Sequence, residues 1–321
     1  MISKICSSTL SKIRAICIIL VVFVHSNVAH LVNSQNAEIC NSFVQNITNF
    51  PRLNIMLVLS GFFFFCKENT LTRNIYIKKI RNRINTLLIP YVLWCLFGYA
   101  YNKLAGVDYE GNILEQIQHI LWGSPIVTGH PSGRALWYVR NLMVFVILSP
   151  LYYAIVKYLK HFTLIIVTIT SIYLQTDFPF FSPYILLGAY ISINNFSIEK
   201  ICNKISLKFI IPLTIAIYAT KCFVPSIIET IVFTILLYKI FEKISVPNIL
   251  ISSSAFLYMS HYYITSPLRN LLVSILPNNV SFNIFAIIAT WFISCTLCIL
   301  TYMIMKKYTP KLLAITTGGR V

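Results

Sequence analysis

The chain has 321 residues, 57% of them hydrophobic and 11% charged, with a formal charge of +17 and a mean hydropathy of +0.74. Soluble globular chains carry about 25% charged and about 45–50% apolar residues, so this composition cannot supply a water-soluble surface and points to the bilayer. The basic excess, 26 Lys and Arg against 9 Asp and Glu, falls between apolar runs, where it sets topology and leaves no nucleic-acid-binding face.

About 20 apolar residues cross a bilayer as a helix. On that measure ten segments are predicted to span it, near 13–32, 53–66, 86–104, 137–156, 161–176, 179–195, 208–221, 225–241, 249–271 and 283–305. The expected fold is therefore all-α: a polytopic integral membrane protein with cytoplasmic N- and C-termini, one membrane domain over 1–321 and no soluble domain. Lys4, Lys12 and Arg14 precede an apolar core as in a signal peptide. No small-residue cleavage site follows His25, so the segment reads as a retained first helix.

Charge placement agrees with ten crossings. Only Arg52, Lys103, Arg134, Arg140, Lys221 and Arg269 fall on the outer side, and the other 20 of the 26 basic residues, Arg320 among them, fall inside. Acidic residues lean outward: Glu38, Asp108, Glu110, Glu115, Asp177 and Glu229. Two outer loops, 33–52 and 105–136, are long enough to fold over a site. The second contains His119, Trp122 and the run Gly129-His130-Pro131-Ser132-Gly133. The nine cysteines are scattered through apolar stretches without metal-ligand spacing, so no metal site is expected.

An ionisable residue within a membrane span is by default a functional candidate. Arg14 and His25 stand eleven residues apart on the first predicted helix. At about 100° per residue they leave the same helix face, roughly 16 Å apart along the axis. That geometry suits a long ligand entering from the cytoplasm, its anionic head near Arg14 and its reactive end at His25. Histidine fits proton transfer because its unperturbed pKa, about 6.5, lies near neutral pH. The competing reading is an interhelical hydrogen-bonding histidine and a topology-setting arginine.

A second cluster, Lys78-Lys79-Ile80-Arg81-Asn82-Arg83, precedes Leu87-Leu88-Ile89-Pro90-Tyr91 at the cytoplasmic mouth of the third helix. Arginine forks and lysine point charges bind phosphate oxygens. Positive-inside topology or anionic lipid headgroups account equally well for the run. The remaining embedded polar groups are Ser60-Gly61, Trp137-Tyr138-Val139-Arg140-Asn141, and Tyr258 with His261. Their bland readings are close helix packing at Gly61, an interfacial aromatic belt at Trp137 and Tyr138, and a snorkelling Arg140.

In this order these segments resemble the acyltransferase-3 family of membrane O-acyltransferases, of the polysaccharide O-acetyltransferase type. Arg14 through His25 is similar to the family's basic-residue, ten-spacer, histidine signature. Leu59-Ser60-Gly61-Phe62-Phe63 resembles its second-helix motif, and Arg83 through Tyr91 its basic approach to a Leu-Ile-Pro-Tyr helix start. Leu136 through Asn141, Leu186-Leu187-Gly188-Ala189-Tyr190 and Phe256 through His261 resemble the fourth-, sixth- and ninth-helix motifs. The resemblance implies transfer of an acyl group, often acetyl from acetyl-CoA, to sugar hydroxyls of surface glycans. It makes His25 the residue essential for transfer and Arg14 a partner that holds the CoA donor, with Lys79, Arg81 and Arg83 as further donor-binding residues. Some members carry a second arginine where this chain has Thr86, and Lys79 or Arg81 would take that task.

His25 would act as general base on the hydroxyl or carry the acyl group transiently. Ser60, Tyr258, His261 and Asn141 are candidate oxyanion donors, and Trp137, Tyr138 and Arg140 complete the candidate acceptor site. The expected partners are acetyl-CoA, a polysaccharide or lipid-linked glycan such as an O-antigen or capsule, and membrane lipids. No permanently bound cofactor is expected, and the expected location is the bacterial cytoplasmic (inner) membrane. The rival is a flippase or transporter of lipid-linked sugars, which would line several helices with polar groups. A polysaccharide polymerase, with its arginine-rich outer loop, ranks behind both.

Overall fold

In hydrocarbon a backbone must satisfy its hydrogen bonds within the segment, and apolar runs of this length do so as helices. The computed structural model describes residues 3–48, 50–68, 70–107, 111–123, 130–132, 134–174, 178–220 and 224–319. Asp108, Glu110, Asp177, Lys221 and Arg320 of the charge pattern, with Gly129 and Gly133 of the glycine/proline run, lie outside the described residues. Among the described residues the secondary structure is helical, with no strand.

Each of the ten predicted segments is a helix, with altered ends. The first, α1, covers Lys4–His25, so it starts nine residues earlier than its apolar run and stops seven earlier. The others are α3 (Arg52–Phe65), α5 (Ile89–Leu104, entered through a π-helical turn at Ile84–Leu88), α7 (Trp137–Leu159), α8 (Phe162–Tyr173), α9 (Pro183–Ile193), α11 (Leu207–Ala219), α12 (Ser226–Lys243), α13 (Asn248–Ile275) and α14 (Val280–Tyr308). Five helical stretches among the described residues are long and apolar enough to cross a membrane, or six if a pair bent by 94° is one span. The 12 residues of α8 and 11 of α9 fall short of the roughly 20 a full crossing takes. At 28 residues α13 is long enough, but its serines, tyrosines and histidine lower its hydropathy.

Helices also occupy predicted loops. The segment 33–52, predicted as an outer loop, holds α2 (Ser34–Thr48), and the basic run lies on α4 (Arg73–Arg83). The segment 105–136 holds α6 (Ile113–Leu121), which a capping box starts: Asn112 accepts from the Glu115 N–H, and the Glu115 carboxylate accepts from the Asn112 N–H. Two short helices, α10 (Ile198–Lys204) and α15 (Pro310–Thr317), complete the set.

Bulky apolar side chains cover the outer surface. On α14, Phe285, Ile288, Phe292, Leu300 and Ile304 are exposed at helical spacing along one face, with Phe292 65% exposed. A soluble monomer rarely shows such a continuous apolar face, whereas lipid is its natural solvent. The chain is a multi-pass membrane protein.

The chain packs as two compact units, each drawn from three stretches of sequence. The first takes Met1–Ala15, Phe50–Arg83 and Arg140–Pro247. Its centre is the crossing of α3 on α9, where Gly61 and Gly188 let the two backbones touch. Around it, Phe64 and Phe65 pack edge-on with Phe145 at 4.9 and 6.4 Å. Tyr152 accepts from the Ser182 N–H at 2.8 Å, fixing the start of α9. The second unit takes Ile16–Asn49, Ile84–Val139 and Asn248–Val321. It is built on the α13–α14 hairpin, and Phe23, Val28, Cys40, Val44, Ala286 and Ile287 form one of its apolar clusters. Trp291 ties α14 to α1 by donating to the Ile19 carbonyl at 3.1 Å.

Candidate functional site

His25 is the last residue of α1 rather than a mid-helix residue. The helix stops there because Asn27 turns its side chain onto the backbone, accepting from the Ala29 N–H at 3.0 Å, a local bond that competes with helix. Arg269, from α13, donates to the carbonyl oxygens of His25 (3.0 Å) and Asn27 (3.4 Å). A guanidinium at a helix C-terminus satisfies otherwise orphaned carbonyls and complements the helix dipole. Arg14, half-buried on the same helix, precedes His25 by eleven residues, a rise of ~16 Å.

In the second unit His25 lies beside two rings of α13. The His261 ring centroid is 5.1 Å away at 48°, and that of Tyr262 is 6.2 Å away, edge-on. His261 is fully buried. Its Nδ1 lies 2.8 Å from the Tyr258 carbonyl and 3.1 Å from that of Leu257. A carbonyl only accepts, so the network assigns the proton to Nδ1 and leaves a lone pair on Nε2. The Tyr258 hydroxyl donates to the Ala135 carbonyl, and its ring meets that of Tyr138 at 5.7 Å. Tyr138 in turn meets Trp137 edge-on at 6.4 Å. The structure thus brings together five of the predicted residues, His25, His261, Tyr258, Tyr138 and Trp137, in one unit.

The other candidates belong to the first unit. Lys79 donates to the Phe64 carbonyl at the end of α3, sits 4.5 Å above the Phe64 ring and lies 4.0 Å from Glu68. This lysine joins α4 to α3, whereas Arg81 on the same helix is exposed and Arg83 half-buried. Ser60 donates to the Met56 carbonyl at 2.8 Å. Its proton is therefore engaged within α3, as the Tyr258 proton is engaged by Ala135. Arg140 does not snorkel: it is 1% exposed, and its Nε donates to the Asn141 side-chain oxygen at 3.2 Å. Asn141 donates onward to the Phe178 carbonyl at 3.3 Å, so burial without these partners would leave a bare charge. A cavity of about 270 Å³ in this unit is lined by Ser3, Cys6, Cys66 and the 195–200 turn, and none of the predicted site residues lines it.

Counted only as an outer topology charge, Arg269 gives no sign of its hold on the His25 turn. The available signal was a single arginine inside a 28-residue helix, which is costly in lipid unless it has partners. Arg269→Ala is expected to loosen this turn by about 1–3 kcal/mol. Amide exchange should then accelerate at Ser26 and Asn27 and remain unchanged in α14. Unchanged exchange at both residues would show that the arginine does not hold the turn.

No curated protein and no solved structure matches the chain significantly. A family model, acyltransferase-3, described as an acyltransferase domain, matches residues 10–303, from the first turns of α1 to the last turns of α14. The match spans both units and includes the basic residue and histidine of α1 and the histidine of α13 that lies beside it. On that match the chain belongs to the acyltransferase-3 family and is a membrane acyltransferase.

Proposed function

We propose that the protein is an O-acetyltransferase of the bacterial inner membrane, moving acetyl from cytoplasmic acetyl-CoA to a sugar hydroxyl of a surface polysaccharide such as an O-antigen or capsule. The observation that carries this reading is the end of α1. It presents His25 beside His261 and Tyr262, with Arg14 on the same helix toward the basic, cytoplasmic N-terminus. An anionic donor held near Arg14 would reach the histidine with its thioester ~16 Å along the helix. Arg81 and Arg83 are the remaining candidates for the donor phosphates, and Trp137 and Tyr138 would stack on the acceptor sugar. The reading keeps both ends cytoplasmic, supported by the bias of basic residues to one side, and takes the short α8 and α9 as partial crossings among the ten helical segments. No observation favours a flippase.

The test compares surface glycan from cells with and without the gene by mass spectrometry, and measures melting of the purified protein with acetyl-CoA. Acetyl groups missing from the glycan of the deleted strain, together with a donor-dependent rise in melting temperature, are the expected results. An unchanged glycan, or stabilisation by CoA-free glycan alone, would overturn the proposal.

A further inference from the structure

The cavity of about 270 Å³ in the first unit lies where α1 and α10 start and α3 and α9 end. The sequence builds it locally. α9 stops in a Schellman motif: Asn195 takes the left-handed region (φ 58°), its N–H donates to the Ser192 carbonyl at 3.0 Å, and the Phe196 N–H donates to that of Ile191 at 2.9 Å. Ser197 then caps α10 by accepting from the Lys200 N–H at 3.2 Å. The turn leaves a gap beside the ends of α3 and α9, and the start of α1 forms its other wall.

Two polar groups in this wall lack a complement. Ser192 is 6% exposed and its hydroxyl has no hydrogen-bond partner; among the buried polar atoms left so in the described residues, it is the one that lines this cavity. Glu199 accepts from the Ser3 hydroxyl at 2.6 Å. No basic side chain among the described residues lies within ion-pair distance of that carboxylate, in a chain with 26 basic residues and 9 acidic ones. The ends of α3 and α9 bring the negative ends of two helix dipoles, and the Phe62 and Phe196 rings in the wall favour a cation further. Lys200, exposed at the rim, calls for an anion beside it. The volume falls just below the roughly 300–1,000 Å³ of pockets that enclose a drug-sized ligand, so it takes one small end of a larger molecule.

We infer that this cavity binds the headgroup of an ethanolamine phospholipid, its ammonium at Glu199 and Ser192 and its phosphate at Lys200. A primary ammonium carries three N–H donors, enough for the carboxylate and the unpartnered hydroxyl together. A trimethylammonium headgroup has no such donor, and a glycerol headgroup has no cation. In the topology proposed above the cavity lies on the basic, cytoplasmic side, at the level of the headgroups. Ile5, Phe196 and Ile201, within the wall or next to it in sequence, are exposed apolar side chains that acyl chains would cover. Ser192 is one turn beyond Gly188 on α9, so a lipid held there would brace the crossing of α3 and α9 and tie the start of α1 to it.

The test uses the purified, delipidated full chain in mixed micelles. Alkylation is followed by peptide mass spectrometry at Cys66, a half-buried free thiol in the cavity wall. Phosphatidylethanolamine at ten times its dissociation constant should slow alkylation about tenfold by mass action and raise the melting temperature. Phosphatidylcholine and phosphatidylglycerol with the same acyl chains should do neither. Glu199→Gln keeps an acceptor for Ser3 and should weaken phosphatidylethanolamine binding about tenfold, with melting in the absence of lipid unchanged. Lys200→Gln, at an exposed position where folding is not at stake, should weaken it about threefold. Equal protection by all three lipids, or by none, as a cavity filled only by water would give, overturns the inference. Protection by soluble phosphoethanolamine but not by the lipid assigns the cavity to a free metabolite and overturns it too, as does full protection in both variants.

Discussion

His25→Ala is expected to lower acetyl transfer by about 10³-fold or more, the upper range for loss of a positioned base or nucleophile, while the protein still accumulates in the membrane. The two halves of this expectation have separate physical grounds. The ring is half-buried and meets its neighbours, His261 at 5.1 Å and Tyr262 at 6.2 Å, so its removal takes little packing with it. The backbone of the same residue is held independently, through the Arg269 bond to the His25 carbonyl and the Asn27 turn, and both survive the substitution. Labelled acetyl-CoA transfer and detergent melting, measured on the same preparation, check the two halves. Wild-type transfer by the variant would remove His25 from the chemistry. A melting point lowered by more than a few degrees would show that the ring is structural.

The helices were readable because apolar length and composition decide what a bilayer accepts. Their ends were less readable. In α1 the backbone hydrogen bonds continue outward through Lys12 and Lys4, beyond the apolar run, and Lys12 is retained by donating to the Phe241 and Ile244 carbonyls at 3.0 and 2.9 Å. Hydropathy does not register such bonds. The α2 segment carries little hydropathy signal because its polar face, rich in asparagine and serine, cancels its apolar one. The loop reading of 105–136 passes over the start of α6, where Asn112 followed three residues later by Glu115 forms a capping box.

The site divides in the same way. The Arg14–His25 spacing is a property of one helix and could be read from the chain. The meeting of His25 with His261 depends on how α13 lies against the end of α1, and no local pattern encodes it. Lys79 shows the converse: the densest basic run was legible as charge, but the engagement of one lysine with the end of α3 was not.

Gly61→Ala and Gly188→Ala are each expected to destabilise the protein by about 3 kcal/mol, at the upper end for overpacking a buried contact. In an exposed helix the same change would stabilise by roughly 0.5–1 kcal/mol, so the sign itself is diagnostic. A Cβ on Gly61 would lie 2.1 Å from the Ile185 carbonyl oxygen, and one on Gly188 would lie 2.0 Å from the Val58 carbonyl oxygen and 2.7 Å from the Phe62 nitrogen. These are backbone atoms of the facing helix, with no rotamer to swing aside, so α3 and α9 must separate. Separation would pull Phe64 and Phe65 from Phe145 and disturb the Lys79 bond at the end of α3. Once the helices stand apart, a second Cβ costs little more, so the double variant should lose clearly less than the sum of the single variants. Denaturant titration in detergent micelles measures all three. Additive losses, or single variants as stable as the wild type, would show that the helices do not cross at these glycines. If the expected pattern is found, the two motifs Leu59-Ser60-Gly61-Phe62-Phe63 and Leu186-Leu187-Gly188-Ala189-Tyr190 have one physical explanation. Each supplies the glycine that the other's backbone requires, which makes the pair the scaffold of the first unit.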